Sequence, residues 1–126
     1  METNFFKSLF TVCVAGLLFA GCGKDPSSAP VALPEEEIPA TVSAAFKDTD
    51  KDTQDGVNRY ISAVKAHDIP TAFEELQNLS HVQGLSDDQR SILARASRTT
   101  SQKLQEAAAN GDSAASDALK TFKSTK

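Results

Sequence analysis

Residues 40–66 read ATVSAAFKDTDKDTQDGVNRYISAVKA. Advancing 100° per residue, as an α-helix does, brings Val42, Phe46, Thr49, Thr53, Val57, Tyr60, Ile61 and Val64 into one stripe about 120° wide. A period-two alternation that would argue for a strand is missing here and in the rest of the chain. The stripe predicts one continuous helix over residues 40–66, crossed by Gly56 at a cost of about 1 kcal/mol relative to Ala.

Downstream, Asp68 followed by Pro70 marks the next start, an N-cap with proline in the first turn. The helix it opens is short, with Ile69, Ala72, Phe73, Leu76 and Leu79 facing inward. Gly84 then precedes Ser86-Asp87-Asp88-Gln89, a Ser-x-x-Gln capping box whose two carboxylates meet the positive end of the helix dipole. The third helix is expected to run to about Asn110, with Ile92, Leu93, Ala96, Thr100, Leu104 and Ala107 on one side, until Gly111 ends it. Asp112 or Ser113 caps a fourth, whose inner face carries Ala115, Ala118, Leu119 and Phe122. The fold class is therefore all-α: a small four-helix bundle of two helical hairpins, long-short-long-short. An offset of 43 residues superimposes their stripes, carrying Ile61 to Leu104, Ala72 to Ala115 and Leu79 to Phe122. Two amphipathic hairpins of similar length also align this way by chance, so the offset leaves duplication open. The core is thin, and modest stability is expected.

On one continuous helix, Asp48, Asp52 and Asp55 would share the face opposite the apolar stripe, with Arg59 one turn beyond. Like charges at that spacing repel unless something positive answers them. That makes the face a candidate site for a cation or a basic partner, against a plain solvated face relieved by Lys51 and Arg59. Asp48-x-Asp50-x-Asp52 imitates the opening of a calcium-binding EF-hand loop, but Thr53 stands where the loop needs Gly and Arg59 where it needs Glu. Arg95 and Arg98, with Gln102 and Glu106, form a second candidate partner face on the outer side of the third helix. His67 and His81, the two histidines, are read as a helix-end residue and a loop residue, with no ligand spacing for zinc. No metal or cofactor is expected, and no motif for nucleophilic catalysis, phosphate binding or dinucleotide binding occurs. The net charge of −4 argues against a nucleic-acid partner.

Upstream of residue 40 the composition changes. Residues 22–39 hold four of the five prolines and the acidic run Glu35-Glu36-Glu37, and are expected to form a flexible extended tether rather than part of the core. Residues 1–21 begin with a short start carrying Lys7, followed by an uncharged apolar run from Leu9 to Ala20. That run is too short to cross about 30 Å of hydrocarbon and has the outline of an export signal. It ends in Leu18-Phe19-Ala20-Gly21-Cys22, which resembles the lipobox of bacterial lipoproteins. The resemblance implies cleavage between Gly21 and Cys22, a diacylglycerol thioether on Cys22, acylation of the new amino terminus with a fatty acid such as palmitate, and, with Gly23 next, delivery to the outer membrane. An unmodified Cys22 would instead leave a secreted protein.

The division expected is thus a lipoprotein signal peptide over 1–21, a lipidated cysteine and tether over 22–39, and a helical domain over 40–126. The expected function is that of a lipid-anchored cell-envelope protein, held to the membrane through Cys22, that binds a protein partner and is not an enzyme. The alternative is a periplasmic module that binds a ligand or cation through the acidic face.

Overall fold

The helix expected over residues 40–66 is two helices, α1 (Ile38–Phe46) and α2 (Lys51–Lys65). Asp and Thr side chains compete with the helix for its backbone groups, and the four residues Lys47 to Asp50 do so here. Thr49 donates to the Phe46 carbonyl through both its amide and its hydroxyl, closing α1. Asp50 then takes extended geometry and accepts from the Thr53 amide at 3.0 Å and the Thr53 hydroxyl at 2.7 Å, opening α2. Gln54 reaches back over the break to the Lys47 and Thr49 carbonyls. The stripe nonetheless stays inside, because both helices turn the same faces to one core: Val42, Phe46, Val57, Tyr60 and Val64 are all buried.

The computed structural model describes residues 29–125, so the expected signal peptide 1–21, the cleavage between Gly21 and Cys22 and the lipid on Cys22 lie outside the described residues. Those described are all-helical: α1 and α2 are followed by α3 (Ile69–Ser80), α4 (Asp87–Ala109) and α5 (Ser113–Ser124), with no strand among them. Among the described residues there are five α-helices and one 3-10 turn (Glu35–Glu37), where the sequence pattern suggested four helices. No helix among the described residues is long and apolar enough to cross a membrane.

The caps read from the sequence form as expected. Asp68 and Asp112 accept from the amides of Thr71 and Ala115, and Ser86 and Gln89 make the reciprocal capping box. Gln89 also donates to the Ala45 carbonyl at 3.0 Å, tying the start of α4 to the last turn of α1. Helix α2 packs on α3, α3 on α4 and α4 on α5, while α1 lies against α2 and α4. Gly56 faces the Leu79 side chain of α3: a Cβ there would meet Cδ2 of Leu79 at 3.2 Å. The glycine that weakens α2 as an isolated helix leaves room for the Leu79 side chain of α3.

The turns α2–α3 and α4–α5 are built alike. In the first, the Asp68 amide donates to the Ala63 carbonyl and the His67 amide to that of Val64; in the second, Asp112 donates to Ala107 and Gly111 to Ala108. Each is a Schellman closure whose left-handed residue, His67 (φ 55°) or Gly111 (φ 94°), leads straight into an Asp N-cap. These turns are offset by 44 residues, one more than the buried stripes, so the two helix pairs present faces rotated by about 100° relative to their shared turn.

The larger core joins Leu33 to side chains of α1, α2, α3 and α4; a smaller one joins Phe73 and Leu104 to Ala115 of α5. Leu33 is 2% exposed. The tether expected to reach residue 39 therefore ends sooner, and the folded body begins at Leu33. Composition hid this, since one leucine among prolines and glutamates is enough to fasten the segment when a helix offers it a pocket.

Candidate functional site

Residues 31–35 lie along α4 as an extended strap. Nε of Arg95 donates to the Val31 carbonyl at 3.1 Å, the Leu33 amide donates to the Arg95 carbonyl at 3.3 Å, and the Thr99 hydroxyl donates to the Leu33 carbonyl. Nζ of Lys103 then meets Oε2 of Glu35 at 3.0 Å. The register has a simple origin. Two extended residues advance about 6.6 Å and four helical residues about 6.0 Å, so strap positions 31, 33 and 35 stay beside helix positions 95, 99 and 103. Glu35 also faces Nδ1 of His67 at 3.5 Å. The hydrogen bond to Glu35, with the carboxylate's charge second, holds the Lys103 ammonium above its usual pKa. A raised lysine value means this contribution is present below the ordinary lysine range and is lost as pH climbs through the folded value.

A groove of about 750 Å³ lies between α3 and α5. Phe73, Glu74, Gln77 and Asn78 of α3, with His81 just past its end, line one wall, and Ala118, Thr121 and Phe122 belong to the α5 wall. Phe73 and Phe122 meet edge to face there, with ring centroids 5.3 Å apart and planes at 88°. The His81 ring nitrogen Nδ1 lies 2.7 Å from the Gln77 carbonyl. A carbonyl oxygen only accepts, so Nδ1 carries the proton and, in the neutral ring, Nε2 is left as an acceptor. Apolar surface from Phe73, Ala118 and Phe122 thus lies beside the amide, imidazole and carboxylate groups of Gln77, Asn78, His81 and Glu74. The sequence reading missed the groove, because it assigned Phe73 and Phe122 only to the interior. The available signal was a short helix polar on one side, with Glu74, Gln77, Asn78 and His81 at helical spacing.

The acidic face does not assemble as expected. Asp48 sits in the break between α1 and α2, exposed beside Lys47 at 4.0 Å, while Asp55 pairs with Lys51 at 2.7 Å in the first turns of α2. Asp52 lies in the first turn of α2, where it meets the positive end of that helix's dipole. Losing the continuous helix removes the common face, and among the described residues no three His, Cys, Asp or Glu side chains gather around a point where a metal ion would fit. Asp50 is the member of this stretch with a defined role; its hydrogen bonds from Thr53 hold its carboxyl below the usual carboxylate range. Of the second candidate face, Arg95 is drawn to the strap and Arg98 remains exposed.

Beside Gly56, Nε of Arg59 donates to Oε1 of Glu75 at 3.0 Å. The other oxygen, Oε2, is buried without a hydrogen-bond partner among the described residues. This pair bridges α2 and α3 at the rim of a smaller hollow of about 340 Å³ that also touches Asp50, Asp52 and Leu79.

Compared with models of protein families, with curated proteins and with solved structures, the chain finds no match.

Proposed function

We propose that this chain is a lipid-anchored, non-catalytic helical module of the bacterial cell envelope, fixed through Cys22 to the outer membrane on its periplasmic side, and that it holds a protein partner in the groove between α3 and α5. The groove carries this reading. Its volume, about 750 Å³, is that of a cleft able to take a small molecule or a few side chains of a partner, and it combines apolar surface with a few convergent polar groups. The lipobox-like stretch ending in Cys22 supports the anchor. The strap supports a module presented in a set orientation, because the chain enters the folded body through bonds to α4. The same reading takes α2–α3 and α4–α5 as two helical hairpins of a four-helix bundle, to which α1 and the strap are added; their shared turn supports it.

The test is crosslinked affinity purification from the native envelope with wild type, Cys22→Ala and Ala118→Trp, the last filling the groove with an indole. A stoichiometric partner captured by wild type and lost from a folded Ala118→Trp chain is the expected outcome. Capture unaffected by the indole would sink the groove reading, and capture unaffected by Cys22→Ala would remove the need for the anchor.

A further inference from the structure

The chain is negative overall, with 17 Asp and Glu against 13 Lys and Arg, yet from Gln89 to Gln105 α4 carries Arg90, Arg95, Arg98 and Lys103 and no acid. Lys103 is answered by Glu35 and Arg90 by Asp87. Arg95 and Arg98, three residues apart, share the outer side of α4. Beside them stands Val31, 77% exposed and the only large apolar side chain that is exposed among the described residues. The Arg95 guanidinium holds the carbonyl of Val31 itself, so the apolar group and the positive charge are fixed together.

We propose that this face, Val31 with Arg95 and Arg98, is the side of the module that lies against anionic lipid headgroups. The inference rests on the anchored reading above and adds to it an orientation. Nine residue steps separate Cys22 from Val31, and fully extended they span at most about 32 Å. A lipid on Cys22 therefore keeps Val31 within that distance of the bilayer and makes the strap's entry to α4 the nearest part of the folded body. Arginine at such a surface is attracted by anionic headgroups, and a small apolar side chain enters the interface beside it. The nearest acids lie toward the two ends of the patch rather than within it. Asp87 is paired with Arg90, Asp88 lies seven residues from Arg95, about 10.5 Å along the axis, beyond the screening length of about 8 Å, and Glu36 and Glu37 follow the Lys103 end of the strap. No residue of α4 lines the groove between α3 and α5, so a lipid contact on the outer side of α4 leaves the groove's own walls uncovered.

The test uses the full lipidated protein, its mass checked first, in vesicles with and without an anionic phospholipid and with nitroxide-bearing lipids. A fluorophore is placed through Ala94→Cys on the outer side of α4 or through Ala114→Cys beside the groove. In anionic vesicles the probe at 94 should be quenched at least twofold more than the probe at 114. Arg95→Gln with Arg98→Gln, or high salt, should remove the difference. Equal quenching at the two positions in a lipidated chain overturns the proposed face while leaving the anchor standing. A contrast that survives the double substitution also overturns it, as does crosslinking from position 94 to an acidic protein in the native envelope without the quenching contrast. A mass lacking the lipid removes the anchored reading and the orientation with it.

Discussion

His67 and Gly111 occupy the same left-handed position in two turns that share their hydrogen bonds. Glycine meets that geometry without strain, whereas a residue with a Cβ pays about 1 kcal/mol or more. Gly111→Ala should therefore destabilise by about 1 kcal/mol, and His67→Gly should stabilise by up to about the same amount, less what its contact with Glu35 contributes. Chemical denaturation of both variants checks the pair, and an equal loss in each would show that the turns are not equivalent. Tyr60 is the single tyrosine, there is no tryptophan, and its hydroxyl is buried 3.1 Å from that of Thr100. Thr100 donates its own proton to the Ala96 carbonyl, so Tyr60 is the donor, and Tyr60→Phe should cost about 0.5–1.5 kcal/mol at neutral pH. Burial, with the Glu35 carboxylate acting the same way, pushes the phenol from 10.0 up to about 12. A raised folded value means full stabilisation below pH 10, lost as pH rises toward 12, by about 2–3 kcal/mol in all. Phenolate absorbance during alkaline titration reads this group alone, and Tyr60→Phe should remove that part of the alkaline loss. At this scale the sequence was readable where a side chain has one evident local use: Ser86, Gln89, Asp68 and Asp112 all cap as their types suggest. His67 was read as a helix-end residue, but its left-handed backbone was not visible, since nothing about histidine advertises it.

Between residues 40 and 66 the amphipathic stripe was legible and the helix boundary was not, for one reason. Periodicity reports which side chains face a core, and α1 and α2 face the same one, so the pattern runs across the break without a phase change. The break itself is written in Asp50 and Thr53, a cap whose partner sits three residues on. The same limit explains the strap. Proline and glutamate content argued for a free tether over residues 22–39, and only pairing with Arg95, Thr99 and Lys103, more than sixty residues away, shows that its last part is fastened. Leu33→Ala should accordingly lose about 2–5 kcal/mol, the range for emptying a leucine site in a core. Removing residues 22–39 should lower the melting temperature by more than Leu33→Ala alone. A truncated chain as stable as the parent would mean that the strap adds nothing to the fold and that the domain begins at residue 40 after all.

Taken as one molecule, the chain distributes its stability unevenly. The larger core ties the strap to α1, α2, α3 and α4, whereas α5 is held mainly through Ala115, with Ala118, Leu119 and Phe122 only half-buried against Phe73 and Leu104. An alanine-lined contact removes less apolar surface from water than the leucines, Phe46 and Tyr60 of the larger core, so the free energy holding α5 down is smaller. This also explains why the groove was the least legible feature: it lies beside half-buried residues of α5, and a helical stripe cannot say how deeply its helix is seated. Elements that line binding sites are drawn from the less stable part of a fold. Native-state hydrogen exchange should then show the amides of α5 opening before those of α2 and α4, by a free energy at least about 1 kcal/mol smaller. Phe122→Ala should widen that difference while leaving α2 protection nearly unchanged. A partner seated in the groove should close the difference by covering α5. Exchange in which all five helices open together, with or without Phe122, would instead make the molecule one cooperative unit and the groove a rigid cleft.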